Sequence, residues 1–367
     1  MKNPSKKHNI LLVGPLPDPI TGISLANQIV EKGLRESAGF NISAVDTSYS
    51  SFDEKLGKFS FKKALYYLGV QLKSFKVLNV DTLYITPGQT FLGMLKYAPF
   101  IWLASMTGKQ IVQHLNGNFL GRQYHMLTGW RKKLFHNLIA RTDKAIVLSD
   151  SLRKNYSHLL KSDQIFTLAN CVEDELFVDM SQLQNKVFSG LRIVYLSNLM
   201  LEKGIFDLLE ALTILEARGV TYTAKIAGNI APENKEQAHN YFKQLKYTEY
   251  IGVVDLAAKK ELLLWSNVFV LPTYYTMEGQ PFSILEAMAT ANAIITTAHA
   301  GIPDVFVEQE NGLYVEKNKP ESIVAVFERL AVDTKTIESM AFNNAAEARK
   351  KYTVKSFINQ LAKILNE

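Results

Sequence analysis

The chain has 367 residues, 47% of them hydrophobic and 21% charged, the balance of a folded globular protein rather than a disordered one. That length exceeds what one core usually holds, so two domains are expected. A single cysteine, Cys171, excludes an internal disulfide and a cysteine-rich zinc site, and fits a reducing compartment.

The amino terminus, MKNPSKKHNILLVG, is basic, but its apolar run is about five residues, shorter than a secretory signal needs. The longest apolar runs, such as YAPFIWLASM, fall short of the roughly 20 residues that span a bilayer. A cytoplasmic protein is expected. Residues 1–185 hold 22 Lys and Arg against 14 Asp and Glu, a net of +8, whereas residues 186–367 hold 19 against 21, a net of −2. The basic half suits a polyanion or an anionic membrane surface, or is simply a solvated basic face.

In chain order, NILLVG reads as a buried strand, PLPDPITGIS as a Pro/Gly loop, and LANQIVEKGLRES as a helix. NISAVDT, VDTLYIT, QIVQHL and KAIVLS continue the strands, with helical stretches between them, the alternation of βαβ units. The polar stretch DMSQLQNKVFSG suits a linker between domains. A second series follows: LRIVYLS, YTAKIAG, YIGVV, VFVLP, AIITT and GLYVE, with the tail reading as terminal helices. The expected division is 1–185, 186–345, and a helical tail 346–367 that returns to the first domain. Two tandem Rossmann-like domains place a ligand cleft at the carboxyl ends of their sheets.

Two stretches of the second series carry candidate chemistry. In LSNLMLEKGIFDLLEA, Lys203 and Gly204 fall between a strand and a helix, where amides, helix dipole and ammonium together favour a phosphate. A plain surface lysine is the alternative. In VLPTYYTMEGQPFSILEAMA, Pro281 is expected at the first helical position, leaving the amides of Ser283, Ile284 and Leu285 as donors. Glu286 would lie in the first turns, able to accept two vicinal hydroxyls, and Glu278 in the preceding loop, able to meet a sugar hydroxyl. An ordinary amphipathic helix with Glu near its positive end is the alternative.

The order of these pieces, with GNI between them and GIPD and NGLYV after them, resembles the retaining family-4 (group 1) glycosyltransferases of the GT-B fold over about 130 residues. The first half resembles the family more loosely. The resemblance implies an α/β protein of two Rossmann-like domains, with parallel sheets facing a central cleft. It implies sugar transfer from a nucleotide-diphosphate sugar, UDP-linked in this reading, to a saccharide hydroxyl.

By resemblance, Lys203 holds the donor diphosphate and Gly228 lets backbone approach the nucleotide. Glu278, with the loop Gly279, Gln280, Pro281, Phe282, Ser283 and Ile284, meets the sugar and phosphates, and Glu286 binds the ribose. Gly22 in PITGIS matches the family's glycine loop, and His114, after QIVQ, matches a histidine near the donor sugar. His299 is a weaker candidate of the same kind.

The family commonly has Arg where Asn198 stands, and Gly-x-Pro where Ala291-Asn292-Ala293 stands. Asn292 is expected to take the left-handed conformation there. GGIPE is here AGIPD. No metal is required in this reading, no other cofactor, and no nucleic acid partner. Basic-aromatic stretches with Lys58, Lys62, Lys63, Lys73 and Lys76, and Trp130 to Lys133, suit peripheral contact with an anionic membrane and a lipid-linked acceptor in bacterial surface polysaccharide synthesis. Packing of those aromatics into a core is the alternative. A sugar-nucleotide epimerase of related fold and an inactive GT-B-like binding protein are the competing functions.

Overall fold

A computed structural model describes residues 7–49 and 61–367, the side chains of 61–64 excepted. Lys58 lies outside the described residues, and so do the side chains of Lys62 and Lys63. The chain forms two compact units: Met1–Asn170 with Met277–Gln280 and Val354–Glu367, and Cys171–Thr276 with Pro281–Thr353.

The first unit is built on six parallel strands, β1 (His8–Gly14), β2 (Phe40–Asp46), β3 (Thr82–Ile85), β4 (Gln110–Leu115), β5 (Lys144–Val147) and β6 (Ile165–Thr167). Their order is β2-β1-β3-β4-β5-β6, with Ile10 opposite both Ile42 and Thr82. Ile10, Leu11, Leu12 and Val13 are all fully buried, as expected of a parallel strand covered on both faces. The crossover helix Gly22–Glu36 begins three residues earlier than its apolar period suggests, because Thr21 and Ser24 form a reciprocal cap. Gly22 is therefore the first helical residue, not part of a free loop.

The second unit carries β7 (Leu191–Leu196), β8 (Tyr222–Ala227), β9 (Thr248–Gly252), β10 (Val268–Leu271), β11 (Ala293–Thr296) and β12 (Gly312–Tyr314). The order β12-β11-β10-β7-β8-β9 is the doubly wound Rossmann order, whose switch point lies between β7 and β10. The helix Ile205–Ala217 buries Leu208, Leu209, Leu212 and Leu215, each contributing roughly 1.5–3 kcal/mol as an upper bound.

The division falls at Asn170, not at 185. Residues after Cys171 join the second unit through backbone bonds, Val172 N to Tyr352 O at 2.8 Å and Val178 N to Ala289 O at 3.2 Å. The polar stretch expected as a linker forms the helix Met180–Asn185, capped by Asp179, and then buries Lys186. At the other end, Thr334–Lys351 stays with the second unit, and only Val354–Glu367 groups with the first. There the helix Val354–Asn366 lies against Gly33, where a Cβ would stand 2.4 Å from Ile358.

Candidate functional site

In the second unit, the loops at the carboxyl ends of β7, β10, β11 and β12 are joined by backbone and side-chain contacts. After β7 the chain turns through Leu201–Lys203 to Gly204, which is left-handed at φ 75°. A Cβ on Gly204 would stand 2.4 Å from the Pro272 carbonyl oxygen, so glycine lets this loop close on the end of β10. Tyr274 N donates to Glu202 O at 2.8 Å and fixes the two loops together.

Lys203 Nζ lies 5.1 Å from the centre of the Tyr275 ring, at the amino end of the helix Ile205–Ala217. His299, after β11, has both nitrogens engaged: Nε2 with Tyr275 O at 2.8 Å and Nδ1 with Lys317 Nζ at 3.0 Å. The Lys317 ammonium is a donor, so Nδ1 accepts and Nε2–H donates to Tyr275. Two cations, Lys203 and Lys317, thus lie on loops tied to Tyr275. Asn198 is exposed, and its carbonyl accepts from Tyr195 Oη at 3.1 Å.

Gly228 has a reason internal to the protein. With φ 139°, its missing Cβ would stand 1.8 Å from the Ser197 carbonyl oxygen, so the ends of β7 and β8 meet backbone to backbone.

Glu286 is 4% exposed, and its Oε1 pairs with Lys259 Nζ at 2.7 Å. Lys259 comes from the helix Leu256–Trp265, so the carboxylate expected to accept two vicinal hydroxyls carries a cation on one of its oxygens. The helix bearing Glu286 is Phe282–Ala289, and Pro281 is its N-cap, one position earlier than expected. Pro281 supplies no side-chain cap, and its carbonyl accepts from Ile284 N at 3.3 Å, so that amide is not an open donor. Phe282 and Ser283 occupy the first two helical positions and are half-buried.

In the first unit, Met277–Gln280 is held by its surroundings. Gln89 Nε2 donates to Met277 O at 3.1 Å. Gln280 accepts from Asn170 N through Oε1 at 2.7 Å and donates to Leu148 O through Nε2 at 3.3 Å. Its side-chain amide is thus bonded to backbone. Gly279 packs on Asn116, whose carbonyl would stand 3.0 Å from a Cβ, and Glu278 is 7% exposed. Glu278 and Glu286, eight residues apart, are thus distributed to different units.

His114 is buried on β4, and its Nδ1 meets Tyr84 Oη at 2.5 Å. Burial lowers the imidazole to about 4 and pushes the Tyr84 phenol up. The other ring nitrogen, Nε2, is buried with no hydrogen-bond partner among the described residues. Lys259, Tyr275, Lys317, Tyr84 and Asn170 were not legible as site residues, since each reaches its partner from a distant element.

Residues 184–349 match the family model of glycosyl transferases group 1. The chain is 25% identical over 232 residues to the capsular polysaccharide biosynthesis glycosyltransferase CapM of Staphylococcus aureus, a match spanning 60% of this chain and 60% of CapM. The structure resembles Anabaena HepE, solved in complex with UDP, at TM-score 0.74 and 16% identity, covering 98% of this chain and 99% of that one. It also resembles sucrose-phosphate synthase from Thermosynechococcus elongatus, at TM-score 0.77 and 15% identity, covering 98% of each chain. With these neighbours, the two Rossmann-like units make the glycosyltransferase fold of GT-B type.

Proposed function

We propose that the protein is a retaining, family-4 glycosyltransferase that moves a hexose or N-acetylhexosamine from a UDP-sugar to a hydroxyl of a lipid-linked saccharide. It would work on the cytoplasmic face of the plasma membrane, in bacterial surface polysaccharide synthesis. The observation that carries this reading is the set Lys203, Gly204 and Lys259–Glu286 inside the segment that matches the group 1 family model, on a doubly wound sheet with Lys203 at its switch point. The UDP held by HepE and the polysaccharide role in CapM's name support the donor and the pathway class.

In this reading the bond from the anomeric carbon to the β-phosphate oxygen breaks, the acceptor hydroxyl bonds to that carbon and passes its proton to the leaving nucleoside diphosphate, and Lys203 with the start of Ile205–Ala217 carries the developing charge. Glu286 accepts from ribose hydroxyls while Lys259 holds its other side, and Glu278 and His114 are the residues assigned to the sugar. No divalent cation is assigned a part. Holding donor and acceptor together supplies the remainder of the rate.

A panel of nucleotide-sugars, scored by thermal stabilisation, identifies the donor, because a ligand bound only by the folded state raises apparent stability. Transfer to acceptor with release of nucleoside diphosphate, undiminished by EDTA, is the expected activity. No stabilisation by any nucleotide or nucleotide-sugar, or sugar interconversion without an acceptor, overturns the reading.

A further inference from the structure

From Phe61 to Thr142 the sequence holds eleven Lys and Arg and one acidic residue, Asp81. Asp81 is half-buried and its carboxylate is engaged, accepting from Asn9 N at 2.9 Å and Asn9 Nδ2 at 3.2 Å. The same stretch carries an unusual helix. Phe61–Leu72 runs on into the 3-10 turn Lys73–Asn79, and Val70, Ser74 and Val77 bury its inner face.

A helix on a protein surface ordinarily turns polar residues outward. Here the outer row is Leu65, Leu68, Leu72 and Phe75, at helical spacing and 54–66% exposed, and Leu78 follows at 46%. Lys73 and Lys76 are exposed on the same turns. Lys96, 5.4 Å from the Tyr67 ring, ties this helix to the short helix Phe91–Leu95. There Leu92 is 70% exposed, and Phe91 meets Trp130 edge to face at 5.8 Å. Trp130 is itself 65% exposed, with the Arg131 guanidinium over its ring at 5.6 Å.

We propose that this surface of the first unit docks on an anionic lipid bilayer, with the row Leu65, Leu68, Leu72 and Phe75 entering the boundary between headgroups and acyl chains. Apolar side chains on one helix face, lysines able to reach sideways to headgroups, and an exposed tryptophan are the elements of interfacial binding. The charge selects the lipid, since a stretch with ten more cations than anions is drawn to anionic headgroups. A second copy of the chain is disfavoured by the same charge, because a symmetric contact would set like against like. A soluble polyanion would use the lysines and leave the leucines in water.

The proposal deepens the lipid-linked acceptor reading, yet its test reads lipid capture alone. Donor-induced thermal stabilisation tests the transferase reading separately, so either can fail without the other.

The full chain is sedimented with vesicles of phosphatidylcholine and with vesicles containing phosphatidylglycerol. The anionic vesicles are expected to capture it at least about tenfold more tightly. Leu72→Glu with Phe75→Glu is expected to lose about tenfold or more in capture, and Lys73→Glu with Lys76→Glu to lose a similar factor at low salt, both at unchanged melting temperature. Equal capture by both vesicle types overturns the proposal. So does capture unaffected by Leu72→Glu with Phe75→Glu, or a dimer seen by light scattering that this pair dissolves while lipid is not bound.

Discussion

Lys259 Nζ lies 2.7 Å from Glu286 Oε1, and neither group is freely exposed, the side chains being 16% and 5% accessible. A carboxylate so placed needs its cation: removing one partner of a buried pair leaves the other charge stranded. Lys259→Met is expected to destabilise the protein by about 2–3 kcal/mol, less than the full range for deeply buried pairs because the lysine keeps some solvent. Adding Glu286→Gln to that variant should return part of the loss, and denaturant titration of both decides it. Each variant should also raise the Kd for the donor nucleotide roughly tenfold, about 1.4 kcal/mol. Unchanged nucleotide affinity in both would remove Glu286 from the site.

His114 makes stability depend on pH in a defined window. Burial holds its folded-state pKa at about 4, below the ordinary 6.5. Between those values the unfolded chain binds more protons, so stability is complete above 6.5 and falls as pH drops towards 4. Going from neutral pH to about pH 5 should cost this group about 2 kcal/mol. His114→Gln lacks that increment, and the difference between the two proteins in urea midpoint at each pH isolates it. Parallel pH profiles would show that the ring titrates normally and is not shielded as the structure has it.

Two glycines with positive φ separate conformational strain from collision. Gly219, at φ 71°, has open space where a Cβ would be, so Gly219→Ala meets only the left-handed penalty, about 1 kcal/mol. Gly228→Ala adds a carbon 1.8 Å from the Ser197 carbonyl, and backbone cannot step aside cheaply. A loss exceeding about 3 kcal/mol is expected there, at the top of the range for single substitutions. Equal thermal shifts for the two variants would mean that β7 and β8 do not close as described.

What the sequence made legible is what local pattern encodes. QIVQHL and LRIVYL are apolar enough to be strands in any context, and both are, at Gln110–Leu115 and Leu191–Leu196. The strand Ile165–Thr167 has three residues and no period to detect. The division between units escaped notice because Cys171–Val178 has no local signature and is fixed only by pairing with distant backbone. Glu286 stood out from its motif, whereas Lys259 is one of two adjacent lysines on its helix and only the tertiary pairing distinguishes it. At Ala291-Asn292-Ala293, asparagine was the natural candidate for the left-handed position, yet Ala291 takes it, at φ 58°. The Asn292 side chain is required elsewhere, donating to Leu263 O at 3.0 Å and Thr290 Oγ1 at 3.1 Å while accepting from Ser266 Oγ at 2.8 Å.

That polar cluster has a charged member, Lys186, whose Nζ donates to Leu263 O at 2.8 Å and Thr290 O at 2.6 Å. These carbonyls lie at the carboxyl ends of the two helices that carry Lys259 and Glu286, so one buried ammonium fixes both halves of the ion pair. Lys186→Met removes the short ammonium bond from both carbonyls, leaving Leu263 O with Asn292 Nδ2 and Thr290 O with only a 3.4 Å contact to the same amide, and should cost about 1–3 kcal/mol. Arg218→Ala, removing an exposed pair with Glu328, should cost about 0.5 kcal/mol or less. Burial also drives the Lys186 pKa well below 10.5. Between the depressed folded value and 10.5 the unfolded chain binds the extra proton, so the parent should gain stability on Lys186→Met as pH rises towards 10.5. If Lys186 positions the pair, Lys186→Met weakens donor binding roughly tenfold even where the protein is fully folded. A variant that is less stable but binds the nucleotide as the parent does would confine Lys186 to holding the fold.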